Sequence, residues 1–396
     1  MRVVLFDDDL WRRRTFPLSL TRPVPNLRVG ILTIDQKWEK WLQLPSSYLT
    51  AEYLQCKYPL REGKGDVLLI RGDVLPDERL VEAIVALAIG EVLMDGSGFI
   101  ALKMDSTTLK EFHIDNIIDF KPIQYAHELS FIRFPEDIFS KNGEEIEKDF
   151  QLLTKDRTSA SLSSTNRVLG DHIFAEEGAS AECSTLNTLN GPIYLGKDSE
   201  IWEGCLVRGA FALGERSQLK MGARIYSNVS IGPCSRVGGE LNTCVIWGNS
   251  SKGHDGYLGS AVIGEWCNWG ADTNNSNLKN NYQNVRLFDY EQGMPRDTGL
   301  QFCGLIMGDF SRCAINTAFN TGTVVGVSAS IFGAGVPPTF IPDFSWGGAQ
   351  GFSAYHLHKM FETAELIFHR RNREFDETER SILQSVFEMT KNNRNF

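Results

Sequence analysis

A six-residue hydrophobic repeat dominates the second half of this 396-residue chain. Every sixth residue from Leu195 to Val237 is Leu, Ile or Val, over eight consecutive positions. Glycine often follows the repeated position, as in Leu213-Gly214. Three short strands of this kind make one coil of a triangular prism, in which the repeated side chain points inward. Because one coil cannot bury its apolar faces alone, the coils must stack into a continuous core.

The repeat is interrupted twice. It breaks near Thr243, resumes at Tyr257, and breaks again over a long polar excursion before it returns at Met307. The pattern predicts a parallel β-helix from about Gly191 to about Val336. Left-handed winding is implied by similarity to known hexapeptide-repeat proteins, since spacing alone does not set the hand. A prism of this kind can also be a mere spacer or an oligomerisation stalk.

The region before the repeat has a different pattern. Residues 3–6 and 67–70 are short all-apolar runs, typical of strands buried on both faces, and residues 77–88 have helical spacing. These features predict an α/β, Rossmann-like domain. Apolar residues at helical spacing also predict two amphipathic helices near the end of the chain. The expected organisation is an α/β domain (1–155), a linker and entry segment (156–190), the left-handed β-helix (191–345) and C-terminal helices (346–396).

Charge and composition restrict the partners. The 40 basic and 50 acidic residues give a net charge of -10, which argues against nucleic acid as the main partner because phosphate backbones require a basic surface. The first residues run directly into acidic positions, and no uncharged apolar stretch is long enough to span a bilayer. We therefore expect a cytoplasmic protein that does not bind membranes. The eight cysteines show no metal-ligand spacing, so no zinc site is expected.

The first interruption of the repeat is a candidate catalytic loop. Lys252, His254 and Tyr257 lie within six residues of one another, in a segment that leaves the regular pattern. Loops on a rigid scaffold present functional groups in fixed positions. Histidine is the natural general base near neutral pH, so His254 is the candidate base. In isolation, a solvated loop histidine would give the same pattern.

This segment resembles the GlmU family of bifunctional bacterial enzymes, which acetylate glucosamine 1-phosphate and then uridylylate it. The likeness rests on Ser-Lys-Gly-His at 251–254, Tyr-Leu-Gly at 257–259, Asn-Trp-Gly-Ala at 268–271, and Asn277. The order and almost all spacings match. The resemblance therefore implies an acetyltransferase site in the β-helix.

Three positions acquire catalytic roles from this resemblance. His254 would take a proton from the sugar amine as the amine attacks the thioester of acetyl-CoA. A backbone amide near Ala271 would stabilise the oxyanion of the tetrahedral intermediate. Glu240 is the candidate that orients the imidazole.

Five further positions would contact the substrate. Tyr257 and Asn268 resemble residues that orient the sugar and the acetyl group, and Asn277 resembles another polar contact near the base or the sugar. Arg224 and Lys252 would contact the sugar phosphate, the arginine through a bidentate fork and the lysine as a point charge.

The N-terminal region resembles sugar-nucleotide pyrophosphorylases in residues 14–19 and 23–30, and as a whole a divergent nucleotidyltransferase-like domain fused to such prisms. The glycine-rich phosphate loop of those enzymes is absent. Arginines, Arg14 and Arg22 among them, are the candidates for contacting nucleotide phosphates instead. Asp73 follows a buried strand and resembles the aspartate that binds Mg²⁺.

We therefore expect acetyl-CoA-dependent N-acetyl transfer to glucosamine 1-phosphate, coupled to Mg²⁺-dependent nucleotidyl transfer that gives a UDP-sugar. The expected partners are a sugar phosphate, acetyl-CoA and a nucleoside triphosphate. We expect a homotrimer, because one coil face gives too shallow a cleft for CoA. Two alternatives remain. One is a single-activity nucleotidyltransferase or acetyltransferase whose other domain is non-catalytic, and the other is a non-enzymatic trimeric scaffold.

Overall fold

The computed structural model describes all 396 residues except the side chains of Lys110 and Glu111. It divides the chain into two compact units. The first unit comprises Met1–Thr15, Arg22–Leu27 and Leu32–Arg133, and the second comprises Phe16–Thr21, Arg28–Ile31 and Phe134–Phe396.

The first unit is an α/β domain built on one six-stranded sheet, as predicted. Its strands are β1 (Arg2–Phe6), β2 (Ser46–Leu49), β3 (Asp66–Arg71), β4 (Glu91–Asp95), β5 (Gly98–Asp105) and β6 (Lys121–Gln124), and its helices are α1 (Asp9–Arg14), α2 (Ile34–Leu42) and α3 (Glu78–Val85). Short 3-10 helices span Val24–Asn26, Glu52–Leu54, Thr108–Glu111 and Ile114–Asp119. The strand order is β2-β1-β3-β5-β4-β6.

Strand β1 lies between two parallel neighbours in this sheet. It pairs in parallel with β2 and β3, and β5 runs antiparallel to β3. Both faces of β1 are covered, because Val3, Val4 and Leu5 are all buried although successive side chains point to opposite faces. The strand is therefore apolar throughout and has no polar face. Because the three parallel strands point the same way, their carboxyl ends meet at one edge of the sheet, where ligands bind in many α/β proteins.

The second unit contains a left-handed parallel β-helix, as predicted. Its strands are β7 (Arg167–Leu169), β8 (Ile173–Ala175), β9 (Ser180–Ala181), β10 (Thr185–Asn187), β11 (Ile193–Leu195), β12 (Glu200–Ile201), β13 (Leu206–Arg208), β14 (Phe211–Leu213), β15 (Gln218–Leu219), β16 (Arg224–Ile225), β17 (Val229–Ile231), β18 (Arg236–Val237), β19 (Glu240–Ile246), β20 (Ser251–Lys252), β21 (Tyr257–Ile263), β22 (Asn268–Trp269), β23 (Asn274–Asn275), β24 (Arg286–Asp289), β25 (Met294–Asp297), β26 (Leu305–Met307), β27 (Arg312–Cys313), β28 (Ala318–Phe319), β29 (Thr323–Val325), β30 (Ser330–Ile331), β31 (Phe340–Ile341), β32 (Ser345–Gly348) and β33 (Gly351–Ala354). Its helices are α4 (Pro135–Thr154), α5 (Leu357–His369) and α6 (Glu377–Met389), and a 3-10 helix spans Lys391–Asn393.

The strands of the β-helix stack into three faces. Face 1 contains β7, β10, β13, β16 and the first parts of β19 and β21; face 2 contains β8, β11, β14, β17, the second parts of β19 and β21, and β26, β29 and β31; face 3 contains β9, β12, β15, β18, β20, β22, β27, β30 and β32. Neighbouring strands pair with the repeated positions in register, so that Ile201, Leu219 and Val237 form one column in the interior. The six-residue repeat therefore marks the core of the prism.

Glycine after the repeated residue has a steric reason. A Cβ on Gly214 would lie 2.7 Å from the backbone nitrogen of Pro233 in the next coil, so a larger residue would push the coils apart. The corners that follow place Asp198, Arg216 and Cys234 in the left-handed backbone region, at φ of 53°, 55° and 58°. Stacked neighbours on both sides hold this conformation, which an isolated non-glycine residue rarely adopts.

The β-helix begins before residue 191, inside the segment predicted as linker and entry segment. Strands β7 to β10 already pair with the following coil. The inward positions here are occupied by Ala175 and Ala181, in register with Leu195 and Ile201. Small alanines do not continue a column of large aliphatic residues, so the repeat cannot be recognised here in the sequence.

Helices cover parts of the prism. Helix α4 packs across face 2, where the Nδ2 of Asn142 donates a hydrogen bond to the carbonyl oxygen of Asn228 at 2.9 Å. Helix α5 ends beside Trp266, whose indole stacks on Phe368 with ring centroids 4.0 Å apart. The polar excursion between faces 1 and 2 contains the antiparallel hairpin of β24 and β25.

Candidate functional sites

His254 lies at the corner between β20 on face 3 and β21 on face 1, and its side chain is exposed to solvent. Its carbonyl oxygen accepts a hydrogen bond from the Nζ of Lys252 at 3.1 Å. In the next coil, the backbone nitrogen of Asp272 donates to the carbonyl oxygen of Asp255 at 3.0 Å. The imidazole therefore projects from a corner whose backbone is held by two hydrogen bonds, one from the core residue Lys252 and one from Asp272 in the next coil.

Lys252 does not reach a substrate phosphate. It pairs with Val237, so its side chain takes the inward position of the repeat, and only 5% of its surface is exposed. The Nζ also donates to the carbonyl oxygen of Gly238 at 2.9 Å, and burial lowers the pKa of the amine to about 8. The predicted phosphate contact is wrong for this residue, because the register turns its side chain into the core.

Arg224, Glu240 and Tyr257 form a ladder at the start of face 1, one residue from each of three successive coils. The Nε of Arg224 lies 3.6 Å from a carboxylate oxygen of Glu240, and its Nη2 lies 3.6 Å from one of Asp255. Glu240 was expected to orient the imidazole of His254. Its carboxylate pairs with Arg224 instead, because the pleat sends both side chains to the outer surface of face 1.

Tyr257 and Asn277 contact each other beside this ladder. The Nδ2 of Asn277 donates to the hydroxyl of Tyr257 at 3.1 Å and to the Oγ of Ser260 at 3.2 Å. Burial raises the pKa of Tyr257, so its phenol keeps its proton near neutral pH and can donate a hydrogen bond. The structure therefore brings together Arg224, Glu240, Tyr257 and Asn277 on face 1, next to the corner of His254.

Two other predicted residues lie elsewhere on the prism. Asn268 is on face 3, in register with Ser251, so within one chain it does not join the residues of face 1. Ala271 lies in the corner one coil above that of His254, where its carbonyl oxygen accepts a hydrogen bond from the backbone nitrogen of Asn316 at 2.8 Å. Strand β22 has only two residues, and the chain turns a corner after it, so residues close in sequence lie on different faces of the prism.

In the first unit, a cleft of about 470 Å³ opens at the carboxyl ends of β1 and β2. Asp7 lies at its base and is buried; its carboxylate accepts hydrogen bonds from the hydroxyl of Thr50 at 2.6 Å and from the backbone nitrogen of Val24 at 3.0 Å. Burial raises the pKa of Asp7 to about 7. Neither Asp7 nor Thr50 was predicted as a site residue, although both follow adjacent parallel strands, a position that favours ligand contacts.

Arg12 is the arginine that lines this cleft. Its Nη1 donates to the hydroxyl of Tyr53 at 2.6 Å and its Nη2 to the carboxylate of Asp9 at 2.7 Å. The two arginines predicted to contact nucleotide phosphates are not among the lining residues. Arg14 lies in α1, and Arg22 donates to the Oδ1 of Asn26 at 3.3 Å.

Asp73 does not fit a Mg²⁺ site. Its side chain is fully buried, and its two carboxylate oxygens accept hydrogen bonds from the Nε and Nη2 of Arg71 at 2.5 and 2.9 Å. Burial raises the pKa of the carboxyl group, which further disfavours a free anion at this position. Throughout the described residues, no cluster of three or more His, Cys, Asp or Glu side chains is arranged to hold a metal ion. In this structure the carboxylate of Asp73, the predicted Mg²⁺ ligand, is therefore occupied by an ion pair with Arg71.

A family model described as sugar nucleotidyl transferase matches residues 3–158. Over 87 residues, the chain is 31% identical to the bifunctional protein GlmU of Methanocaldococcus jannaschii. The aligned stretch covers 22% of this chain and 21% of the relative, so the chain spans about a fifth of the length of the curated relative that it matches.

Two solved structures that can be superposed on part of this chain are UDP-N-acetylglucosamine acyltransferases. That of Francisella novicida is 12% identical, covers 58% of this chain and 90% of the other, and has a TM-score of 0.33. That of Arabidopsis is 14% identical, covers 60% and 92%, and has a TM-score of 0.27. TM-scores this low carry no argument about function. Within the part of the chain that the structure describes, none of the helices combines the length and apolar character needed to cross a bilayer.

Proposed function

We propose that the corner of His254 transfers the acetyl group of acetyl-CoA to the amine of glucosamine 1-phosphate. The observation that carries this proposal is the exposed imidazole beside a polar face that holds a cation, a phenol and an amide, from Arg224, Tyr257 and Asn277. An acetyl acceptor with a phosphate and several hydroxyl groups matches these three chemical groups. The GlmU-like relationship supports the same choice.

The proposed reaction is direct acyl transfer. The imidazole of His254 accepts a proton from the neutral sugar amine as the amine nitrogen forms a bond to the thioester carbonyl carbon, and the imidazolium then supplies the proton for the leaving thiolate. The carbon–sulfur bond then breaks, and the CoA thiolate leaves and is protonated. Tyr257 and Asn277 orient the sugar, and Arg224 contacts its phosphate. The backbone amide near Ala271 is the proposed donor to the oxyanion.

We propose that further copies of the chain complete this site in a homotrimer. His254 and the face 1 residues lie on an open surface in one chain, which is too shallow to exclude water from a thioester. Leu206, Met221 and Tyr226 are large side chains on or beside face 1 with 54%, 67% and 45% of their surface exposed. Such patches favour a protein interface. Light scattering should give about three times the chain mass of 44.4 kDa.

Release of CoA thiol tests the acetyl transfer. Wild-type protein with acetyl-CoA and glucosamine 1-phosphate should release thiol in proportion to N-acetylated product, and His254→Ala should reduce the rate at least about 100-fold, as expected for a general base. His172→Ala is the matched control, since His172 is another exposed histidine of the β-helix. Equal rates in wild type and His254→Ala would defeat the proposal.

A second proposed activity is nucleotidyl transfer in the first unit, on the strength of the family match to residues 3–158. A sugar 1-phosphate oxygen would attack the α-phosphorus of UTP and release pyrophosphate, in the cleft that contains Asp7 and Arg12. Pyrophosphate release should fall in Arg12→Gln and persist in Arg13→Gln, whose parent side chain is exposed. No release from UTP or dTTP with any sugar phosphate would leave acetyl transfer as the single activity.

A further inference from the structure

A small basic pocket lies between face 3 and the end of α5. Its volume is about 130 Å³, roughly that of four water molecules in the liquid, which share about 30 Å³ each. A single phosphate-sized ion fits this space. Its lining includes four arginines, Arg236, Arg312, Arg370 and Arg371.

The register of face 3 builds the floor of the pocket. Arg236 pairs with Ser251, Ser251 with Asn268, and Asn268 with Arg312, so four successive coils contribute one outward residue each. Adjacent strands are about 4.8 Å apart. The two arginines therefore flank a serine hydroxyl and an asparagine amide, and both guanidinium groups can lean over the same polar floor. Helix α5 adds Arg370 and Arg371 from above.

These cations lack a counter-charge within the described residues. The side chains of Arg236, Arg312 and Arg370 make no hydrogen bond or ion pair there, and Arg371 donates to the carbonyl oxygen of Cys234 at 2.8 Å. Burial lowers the pKa of Arg312, and the neighbouring Arg370 adds to the effect. Burial also lowers the pKa of Arg371, helped by the charge of Arg236. The partly buried guanidinium groups of Arg312 and Arg371 are therefore unfavourable without an anion beside them, whereas Arg236 and Arg370 are exposed.

The dipole of α5 accounts for only part of this arrangement. The carboxyl end of a helix carries about half a negative charge, which favours Arg370 and Arg371 near it. It gives no reason for Arg236 and Arg312, which come from strands three coils apart. Four full positive charges also exceed that half charge, so the pocket keeps a positive potential.

We propose that this pocket binds the phosphate group of a small molecule, held by Arg236, Arg312 and Arg370 over Ser251 and Asn268. Guanidinium forks and short polar side chains are the groups that bind tetrahedral oxyanions best. This pocket lies on face 3, whereas Arg224 and Glu240 of the proposed acetyl-transfer site lie on face 1. Its ligand is inorganic phosphate or a phosphate monoester, which share the same recognition chemistry.

Titration calorimetry with inorganic phosphate tests the site. Phosphate should bind wild-type protein, with sulfate as a competitor, and the dissociation constant should rise about tenfold or more in Arg312→Gln, since a hydrogen bond to a charged group contributes about 1.5–3 kcal/mol. Arg167→Gln removes an exposed arginine from face 1 and should bind as wild type does. Absence of binding to wild type, or equal binding to Arg312→Gln, overturns the proposal.

Two further measurements separate loss of binding from loss of folding and identify the source of the phosphate. Without phosphate, Arg312→Gln should unfold at the same temperature as wild type or higher, because the variant removes repulsion from the cluster. If that variant fails to fold, the exposed Arg370 provides Arg370→Gln, which should also weaken binding. Glucosamine 1-phosphate distinguishes the two sources when only the binding that is lost in Arg312→Gln is counted, because binding at the face 1 residues persists in that variant. If this binding is tighter than that of phosphate, the site belongs to a phosphorylated metabolite; if it is equal or weaker, the site belongs to the free anion.

Discussion

The Nζ of Lys252 lies 3.1 Å from the carbonyl oxygen of His254 and donates a hydrogen bond to it. The same amine donates to the carbonyl oxygen of Gly238 in the preceding coil. A lysine therefore occupies a core position of the prism and holds the corner that presents the imidazole. Lys252 is therefore a positioning residue in the proposed site. Its replacement should change both the rate of acetyl transfer and the stability of the protein.

Replacing Lys252 by methionine should slow acetyl transfer without blocking substrate binding. Methionine fills the apolar space but leaves two carbonyl oxygens unpaired, at a cost of about 1–3 kcal/mol, and the corner becomes mobile. We expect kcat to fall about tenfold while KM for the sugar changes little. The exposed Lys197 provides the control Lys197→Met, which should match wild type. A fall confined to KM would contradict the positioning role.

The buried amine should also make stability depend on alkaline pH. Its pKa falls from 10.5 to about 8 on folding, so the unfolded chain binds more protons between these values. The free energy of unfolding of wild type should therefore rise with pH between about 8 and 10.5, relative to Lys252→Met, by up to roughly 3 kcal/mol. Urea denaturation of both proteins at pH 7.5 and 10 measures the difference. A difference that stays constant with pH would show that folding does not lower the pKa of this amine.

Asp7→Asn should stabilise the protein above neutral pH. Burial raises the pKa of Asp7 from 3.8 to about 7, so the folded chain binds the extra proton and stability is lost as pH rises between these values. The neutral asparagine avoids that loss. We expect a higher melting temperature than wild type at pH 8, and the gain should disappear below about pH 4. The matched control is Asp8→Asn, at the half-buried neighbouring position, which should not raise the melting temperature at pH 8.

Tyr257→Phe should weaken the proposed sugar contact. The variant removes the phenol that meets Asn277 and leaves the ring in place, so the fold should survive. One lost hydrogen bond of about 0.5–1.5 kcal/mol predicts a decrease in kcat/KM for glucosamine 1-phosphate of about two- to tenfold. Tyr282→Phe, at a tyrosine with 66% of its surface exposed, should leave kcat/KM unchanged. Similar losses in both variants would argue against a specific contact at Tyr257.

Trp269→Ala tests the core of the β-helix. The indole fills an inward position with 3% of its surface exposed, in register with Cys313 of the next coil. Removing it should lower the free energy of unfolding by about 3–5 kcal/mol, as for other buried aromatic residues. Trp346→Ala provides the comparison, because 43% of that side chain is exposed, and should cost far less. Denaturant melts monitored by circular dichroism measure both.

Sequence periodicity was sufficient for the architecture. The column of Ile201, Leu219 and Val237 is visible as a six-residue repeat because each coil places one residue of every strand inward. The buried strands β1 and β3 are equally visible as apolar runs. The first coils escaped recognition because Ala175 and Ala181 are too small to continue the aliphatic pattern.

The sequence by itself determined that this chain folds into an α/β unit and a β-helix, and that His254 lies in an interruption of the repeat, since apolar spacing and its breaks are local properties. Only the tertiary structure decided that Lys252 points inward, that Asn268 lies on face 3, and that the carboxylate of Asp73 forms an ion pair with Arg71. It alone also brought the end of α5 to the strands of face 3. The physical reason is that the stacking of coils, and not distance along the chain, decides which side chains are neighbours on a surface. The same stacking decides which charged side chains are buried in the core.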